Sequence, residues 1–224
     1  MAPILVLVTF LIALAVHAWI VRRRYSLRVP AKVVPCVVPM RPPQAPAGVF
    51  LDESHAWLRM LPDGSLRAGI DSWLVEVLGQ AEHIELPARG TTVRRGDPLF
   101  VVHCGDRRIV IPSPVDGRVL RGNLELESRP WMLALDPYGT GWAVALWAND
   151  AKAAVRPLKT GPAAAAFLRD ETARWSDFVQ LGARTTQPEL LADAETPRRG
   201  AGAVLEDDLW EQFESLFLAF HAAA

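Results

Sequence analysis

Lysine is scarce in this 224-residue chain: the 24 basic residues include only three lysines, at positions 32, 152 and 159. No side-chain primary amine lies between Val33 and Ala151, which excludes a lysine-linked group from that stretch. The two cysteines, Cys36 and Cys104, are too few for a disulfide framework and indicate a reduced, cytosol-facing domain. A formal net charge of -1 gives no sign of nucleic acid as a partner.

Acidic residues are missing from the amino-terminal region. Residues 3–21 form an apolar run whose only polar members are Thr9 and His17, and this run is long enough to cross a bilayer. Residues 22–49 follow with six Lys or Arg and no acid. Because positive flanks stay inside, we expect a single-pass helix in the inner membrane, with its amino terminus outside and the main domain in the cytoplasm. A cleaved signal peptide is the alternative, although its charges would precede the run.

Composition divides the chain into six segments. These are a transmembrane helix with its basic flank (1–24), a proline-rich linker (25–49), a main domain (50–150), a helical extension (151–183), a polar flexible linker (184–203) and an acidic amphipathic helix (204–224). The proline-rich linker is either a plain tether or a segment that docks along a partner.

The main domain shows the pattern of an all-β protein. Short apolar runs alternate with glycine and proline turns at intervals near ten residues. The exception is residues 72–79, where helical spacing and a terminal glycine predict one short helix. Residues 101–110, VVHCGDRRIV, predict a hairpin in which Gly105 and Asp106 can take the positive φ angles of a two-residue turn.

Two helices are predicted beyond the main domain, at residues 161–181 and 205–221. The second sets an apolar face against five acids and no base. Its face consists of Leu209, Trp210, Phe213, Leu216, Phe217 and Phe220. A groove on a partner protein and the chain's own main domain are both open as the surface that receives it.

Four ordered motifs fall within residues 52–149: SHAW (54–57), AGI (68–70) with LGQAEHIELPARGTTVRRGDPL (78–99), SPVDGRV (113–119) and DPYGTGW (136–142). In order and spacing they resemble the H protein of the glycine cleavage system, a lipoyl-carrier domain. The resemblance implies a mainly β, barrel-sandwich hybrid (lipoyl-like) domain, here combined with an N-terminal transmembrane helix and C-terminal helices.

In that family the hairpin tip carries a lysine that is amide-linked to lipoate and swings between partner enzymes. Counting back from SPVDG, the resemblance places this lysine at Asp106. The guanidinium groups of Arg107 and Arg108 are no substitute, because they stay protonated and delocalised. We therefore expect a carrier fold with no lipoyl group and no other cofactor.

The tip is left with an unusual polar sequence that needs another interpretation. It consists of His103, Cys104, Gly105, Asp106, Arg107 and Arg108. We interpret it as an interaction hairpin whose arginines form bidentate pairs with a partner's carboxylates. The alternative is a reactive Cys104 thiolate, its pKa lowered by Arg107, Arg108 or His103. A metal site from His103, Cys104, Cys36 and His83 lacks any ligand spacing and is not expected.

The sequence therefore predicts a non-catalytic, membrane-anchored scaffold or accessory subunit of a membrane-associated enzyme complex, of electron-transfer or one-carbon type. The first alternative is a thiol-based carrier or redox protein that uses Cys104. The second is an efflux-type membrane adaptor. In such adaptors a coiled coil splits the lipoyl domain into two halves, whereas the main domain of this chain is continuous. We expect no enzyme activity, because the main domain has no paired carboxylates, nucleophile-base pair or phosphate loop.

Overall fold

The structure is a computed structural model that describes residues 38–185, 187–192 and 196–218. Within these ranges, no helix has both the length and the apolar character that a membrane span requires. The span expected at residues 3–21 lies outside the described residues, as do residues 22–37 of the basic flank and linker.

The described chain contains nine strands in two antiparallel sheets, which confirms the mainly β expectation. They are β1 Val49–Leu51, β2 Ala56–Met60, β3 Leu66–Ile70, β4 His83–Glu85, β5 Thr92–Val93, β6 Pro98–Cys104, β7 Arg107–Pro112, β8 Gly117–Gly122 and β9 Val144–Trp147. The larger sheet has the order β1-β2-β3-β9-β8-β5, and the smaller has the order β4-β6-β7.

Alternation along the strands builds one hydrophobic core. Leu66 is paired with Leu146, and Leu146 with Val119, and all three side chains are buried. On the opposite face of β3, Gly69 makes room for Trp57, because an added Cβ would lie 2.9 Å from the indole. The apolar residues of the alternating pattern are thus the ones that the fold buries.

Six α-helices occur among the described residues. They are α1 Ser72–Leu78, α2 Leu124–Ser128, α3 Met132–Leu135, α4 Ala151–Val155, α5 Gly161–Thr185 and α6 Asp207–Phe213, and a π-helical turn, Glu214–Leu218, continues α6. The helix predicted at 72–79 is present as α1, with Asp71 capping its first turn. The short helices α2 and α3 were not predicted, because four or five residues are too few to show a helical period.

The carboxyl-terminal helix packs its apolar face on the chain's own domain. Phe213 and Phe217 are buried against Trp175 of α5, with ring centroids 5.4 and 5.9 Å away. Trp210 is also buried, and Leu209 is partly buried against the core. Of the predicted partner-helix face, Leu216 is exposed and Phe220 lies outside the described residues. The interpretation of this face as a partner surface is therefore wrong for its buried members.

Two predicted linkers differ from the structure. In the segment 184–203, Leu190 and Ala201 are fully buried, and Gly200 N donates to the Glu76 carbonyl at 2.9 Å. The polar composition of this segment gave no sign of this packing. The packing depends on small residues, because a Cβ on Gly202 would lie 2.9 Å from the Val77 carbonyl oxygen. The end of the proline-rich linker also lies on the domain, where Met40 N donates to the Pro197 carbonyl.

Candidate functional site

The candidate site is the turn between β6 and β7. Cys104 and Arg107 form the last cross-strand pair, so Gly105 and Asp106 are the two turn residues. Only Gly105 of the two has a positive φ, 57°, which is the pattern of a type II′ turn. Both turn residues are exposed, and Asp106 is the second of the two.

One face of this hairpin carries a polar network. The His103 ring nitrogen Nε2 lies 2.6 Å from Glu85 on the neighbouring strand β4, and Arg108 lies 3.9 Å from the same carboxylate. The hydrogen bond from His103 lowers the pKa of Glu85 below its usual value. The His83 and His103 rings are 5.5 Å apart. Arg108 is thus the cation that this face presents beside the turn.

Cys104 points to the other face of β6 and is buried, with 1% of its surface exposed. Burial, with a smaller contribution from the charge of Glu82, raises the pKa of its thiol from 9.0 to about 12. The expectation that Arg107, Arg108 or His103 would lower this pKa is therefore wrong. Loss of solvation on burial is the main cause of this rise in pKa, so a reactive thiolate is disfavoured.

Cys104 is expected to react slowly with iodoacetamide at pH 8. A rise in pKa from 9.0 to about 12 cuts the thiolate fraction about 1,000-fold relative to the unfolded chain. Peptide mapping after timed alkylation, native and in urea, measures this ratio and separates Cys104 from Cys36. Native and unfolded rates within about tenfold of each other would contradict the burial of the thiol.

Arg107 is bound by the carboxyl-terminal segment. Its side chain is 17% exposed, forms a 2.9 Å ion pair with Asp207 and donates to the Leu205 carbonyl. Its guanidinium carbon lies 5.0 Å from the centre of the Trp210 ring. This residue was predicted to face a partner, but residues nearly one hundred positions away already satisfy it. Of the two tip arginines, only Arg108 is exposed.

Arg107→Ala is expected to loosen the carboxyl-terminal segment. A charge-assisted hydrogen bond of a largely buried guanidinium contributes enough to change local amide exchange about tenfold. Hydrogen exchange with mass spectrometry should show this acceleration in peptides covering residues 205–213. Arg108→Ala serves as the control, and equal exchange in both variants would show that Arg107 does not hold the segment.

A buried histidine–aspartate pair lies inside the domain, away from the hairpin. His55 Nδ1 and Asp71 Oδ2 are 2.8 Å apart, and both residues are almost fully buried. His55 has a φ of 63° and stacks on Trp73 with ring centroids 4.2 Å apart. Sequence reasoning missed this pair because its members are sixteen residues apart. Across the described ranges, no group of three or more His, Cys, Asp or Glu is placed to hold a metal ion.

A cleft of about 610 Å³ lies between residues 41–46, α1 and the loop 134–139. The Tyr138 hydroxyl lies 3.3 Å from Ser72 Oγ and accepts a hydrogen bond from the Ser72 N–H at 3.1 Å. Burial raises the pKa of this tyrosine above its usual value. The cleft lies beside the DPYGTGW motif, whose Asp136 carboxylate accepts from Gly139 N and Thr140 N and so orders the loop.

Comparison with known proteins identifies the fold and the family. Residues 49–171 match the family model described as Glycine cleavage H-protein. The chain belongs to this family. A glycine cleavage system H protein of Cronobacter sakazakii is 35% identical over 119 residues, covering 53% of this chain and 92% of that protein. A second, of Laribacter hongkongensis, is 38% identical over 97 residues, covering 43% and 76%.

An H protein of Mycobacterium marinum is a similar solved structure, with a TM-score of 0.49 and 27% identity. The match covers 56% of this chain and 98% of that one. The family comprises carrier proteins rather than catalysts, in agreement with the expected absence of enzyme activity. The match ends inside α5, so the residues that contact Arg107 lie beyond the part of the chain that matches the H-protein family; they are Leu205, Asp207 and Trp210.

Proposed function

We propose that this protein is a non-catalytic, unlipoylated member of the H-protein family that serves as a membrane-anchored scaffold or accessory subunit of an enzyme complex. The observation that carries the proposal is Asp106 at the exposed hairpin turn. A carboxylate offers no amine for an amide bond, and the neighbouring guanidinium groups do not replace one.

The lysines of the described chain support the same conclusion. Lys152 lies on α4 and Lys159 lies between α4 and α5, so neither is part of the hairpin. The Lys159 ammonium is 2.7 Å from Glu53 and 5.0 Å from the Phe167 ring centre, contacts that restrain it against the domain. A swinging arm needs a free attachment point at the hairpin tip. Lys159 is restrained, and Lys152, although exposed, lies on a helix rather than at that tip.

The tip is suited to docking rather than to transfer. Asp106 lies in the two-residue turn, Arg108 follows on β7, and both are exposed. Because paired strands hold this turn, little conformational entropy is lost when a partner binds these two residues. Arg107, which is tied to Asp207 and Trp210, stiffens the base of the turn. The partner surface that fits this pair presents a cation to Asp106 and a carboxylate to Arg108.

Membrane anchorage is the second part of the proposal and is supported by composition. The apolar run at residues 3–21 followed by Arg22, Arg23 and Arg24 is the pattern of a single-pass helix in the inner membrane with a cytoplasmic domain. A scaffold held there would meet membrane-associated enzymes of electron-transfer or one-carbon type. The buried Cys104 gives no support to the competing thiol-carrier function.

The experiment is purification of the native protein from membranes in an uncharged detergent, with mass spectrometry of what stays bound. We expect subunits of one enzyme complex in stoichiometric amounts, and their loss in an Asp106→Arg, Arg108→Glu double variant. Arg169→Glu, a change on the exposed surface of α5, is the control. Recovery of the protein alone, or equal recovery of partners with both variants, would contradict docking through the tip.

A further inference from the structure

Arginines line the outer face of the larger sheet. Strand register pairs Arg59 with Arg67, Arg67 with Ala145, and Ala145 with Arg121. Cross-strand partners share a face, so these three arginines lie in one line across four neighbouring strands. This face is opposite to the one that buries Leu66 and Leu146 in the core. With strands about 4.8 Å apart, the line is about 14 Å long.

A fourth arginine lies beside this line on β8. Arg118 is paired with Trp147, which is two residues beyond Ala145 on β9 and therefore on the same face. We refer to Arg59, Arg67, Arg121 and Arg118 as the arginine row. Arg118 and Arg121 are exposed, whereas Arg59 and Arg67 are partly buried.

Aromatic rings, not carboxylates, hold three members of the arginine row in place, and the fourth, Arg118, donates to the Gly90 carbonyl. The guanidinium carbons of Arg67 and Arg121 lie 5.0 and 4.8 Å from the centre of the Trp142 ring. Arg59 lies 5.9 Å from the Trp57 ring and donates to the Tyr138 carbonyl at 2.9 Å. A π face fixes a guanidinium without neutralising its charge, so the row is rigid and keeps its positive charge.

Counter-charges are lacking along the arginine row. In the described part of the chain, none of its four members forms an ion pair with a carboxylate. Hydrogen bonds from Ser65 are the main cause that lowers the pKa of the exposed Asp63, and the charge of Arg67 contributes less. Asp63 forms no ion pair with Arg67 in the described residues. The Nε atom of Arg67 is buried without a hydrogen-bond partner. An external anion would therefore meet the exposed guanidinium groups of Arg118 and Arg121, with the partly buried charges of Arg59 and Arg67 on the same face.

Exposed apolar side chains accompany these cations. Trp147, the partner of Arg118, is 47% exposed, and Leu120, between Arg118 and Arg121 on β8, is 37% exposed. Tryptophan and leucine beside arginine are typical of protein surfaces that lie at the level of lipid headgroups.

We propose that the arginine row binds the phosphate groups of an anionic lipid surface and so turns the outer face of the larger sheet toward the membrane. This inference rests on the proposed membrane anchorage. Lipid is favoured over an acidic protein because the exposed Trp147 and Leu120 lie beside Arg118, and such apolar side chains next to cations suit the headgroup level of a bilayer.

The test is arginine footprinting of the full chain in nanodiscs. The protein is reconstituted into discs of phosphatidylcholine alone or with phosphatidylglycerol, treated with phenylglyoxal and analysed by peptide mass spectrometry. We expect Arg118 and Arg121 to react about fivefold more slowly in the anionic discs. Arg108, which is 56% exposed at the hairpin tip, is the internal control and should react equally in both.

Equal reactivity of Arg118 and Arg121 in both lipids would overturn the proposal. Slow reaction of both arginines in both lipids would also overturn it, because the protection would then not depend on anionic headgroups. Failure to enter either disc would instead contradict membrane anchorage.

Flotation with vesicles of the same two lipids then tests the arginine row separately. Binding to anionic vesicles should be lost in Arg118→Glu, Arg121→Glu and kept in the charge-matched Arg156→Glu, Arg169→Glu; equal binding of both variants would overturn the proposal.

Discussion

Trp175→Ala is expected to lower the free energy of unfolding by about 3–5 kcal/mol. Trp175 on α5 is fully buried, and its ring centre lies 5.4 Å from Phe213 and 6.3 Å from Trp73. It therefore joins α5, the carboxyl-terminal helix and α1. Its indole nitrogen has no hydrogen-bond partner, so the loss comes from packing and from the cavity left behind.

Chemical denaturation of the Trp175 variant measures this effect directly. Trp131→Ala is the matched control, because Trp131 is 48% exposed and its removal should cost less than about 1 kcal/mol. Similar losses in both variants would mean that the carboxyl-terminal helix does not pack on the domain. That result would reopen its apolar face as a surface for a partner.

Asp71→Ala is expected to cost about 3–5 kcal/mol, because one buried carboxylate serves two elements. Its Oδ1 accepts the Leu74 N–H at 2.8 Å and caps α1, while its Oδ2 holds the His55 ring at 2.8 Å. Alanine removes both contacts and leaves the buried imidazole without a hydrogen-bond partner at either nitrogen. Breaking such a pair costs more than losing a helix cap alone.

Asp150→Ala separates the two roles of Asp71. Asp150 also caps a helix, accepting the Ala153 N–H at 2.9 Å, but it is exposed and has no histidine partner. Its loss should cost about 1 kcal/mol. Equal destabilisation by the two substitutions in thermal or urea unfolding would show that the His55–Asp71 contact contributes nothing to stability.

Local patterns made the main domain predictable. The turn at Gly105 and Asp106 follows from two residues between alternating strands, and α1 follows from helical spacing with a glycine at its end. The Gly69 and Trp57 contact, by contrast, depends on strand register, which alternation does not specify.

Contacts between distant residues decided the site and were not predictable. Arg107 looked available for a partner because Asp207, Leu205 and Trp210 are about one hundred residues away in the chain. Burial of Cys104 had the same cause: the cations beside it in sequence were visible, but the loss of solvation was not. The arginine row also required register, because its members come from three separate strands.

The intact mass of the native protein, purified from its own membranes after growth with lipoate, tests the central claim most directly. The account predicts the mass of the unmodified chain, because Asp106 occupies the exposed hairpin turn. A mass increased by one lipoyl amide, mapped to any lysine of the chain, would contradict it and make this protein a working carrier.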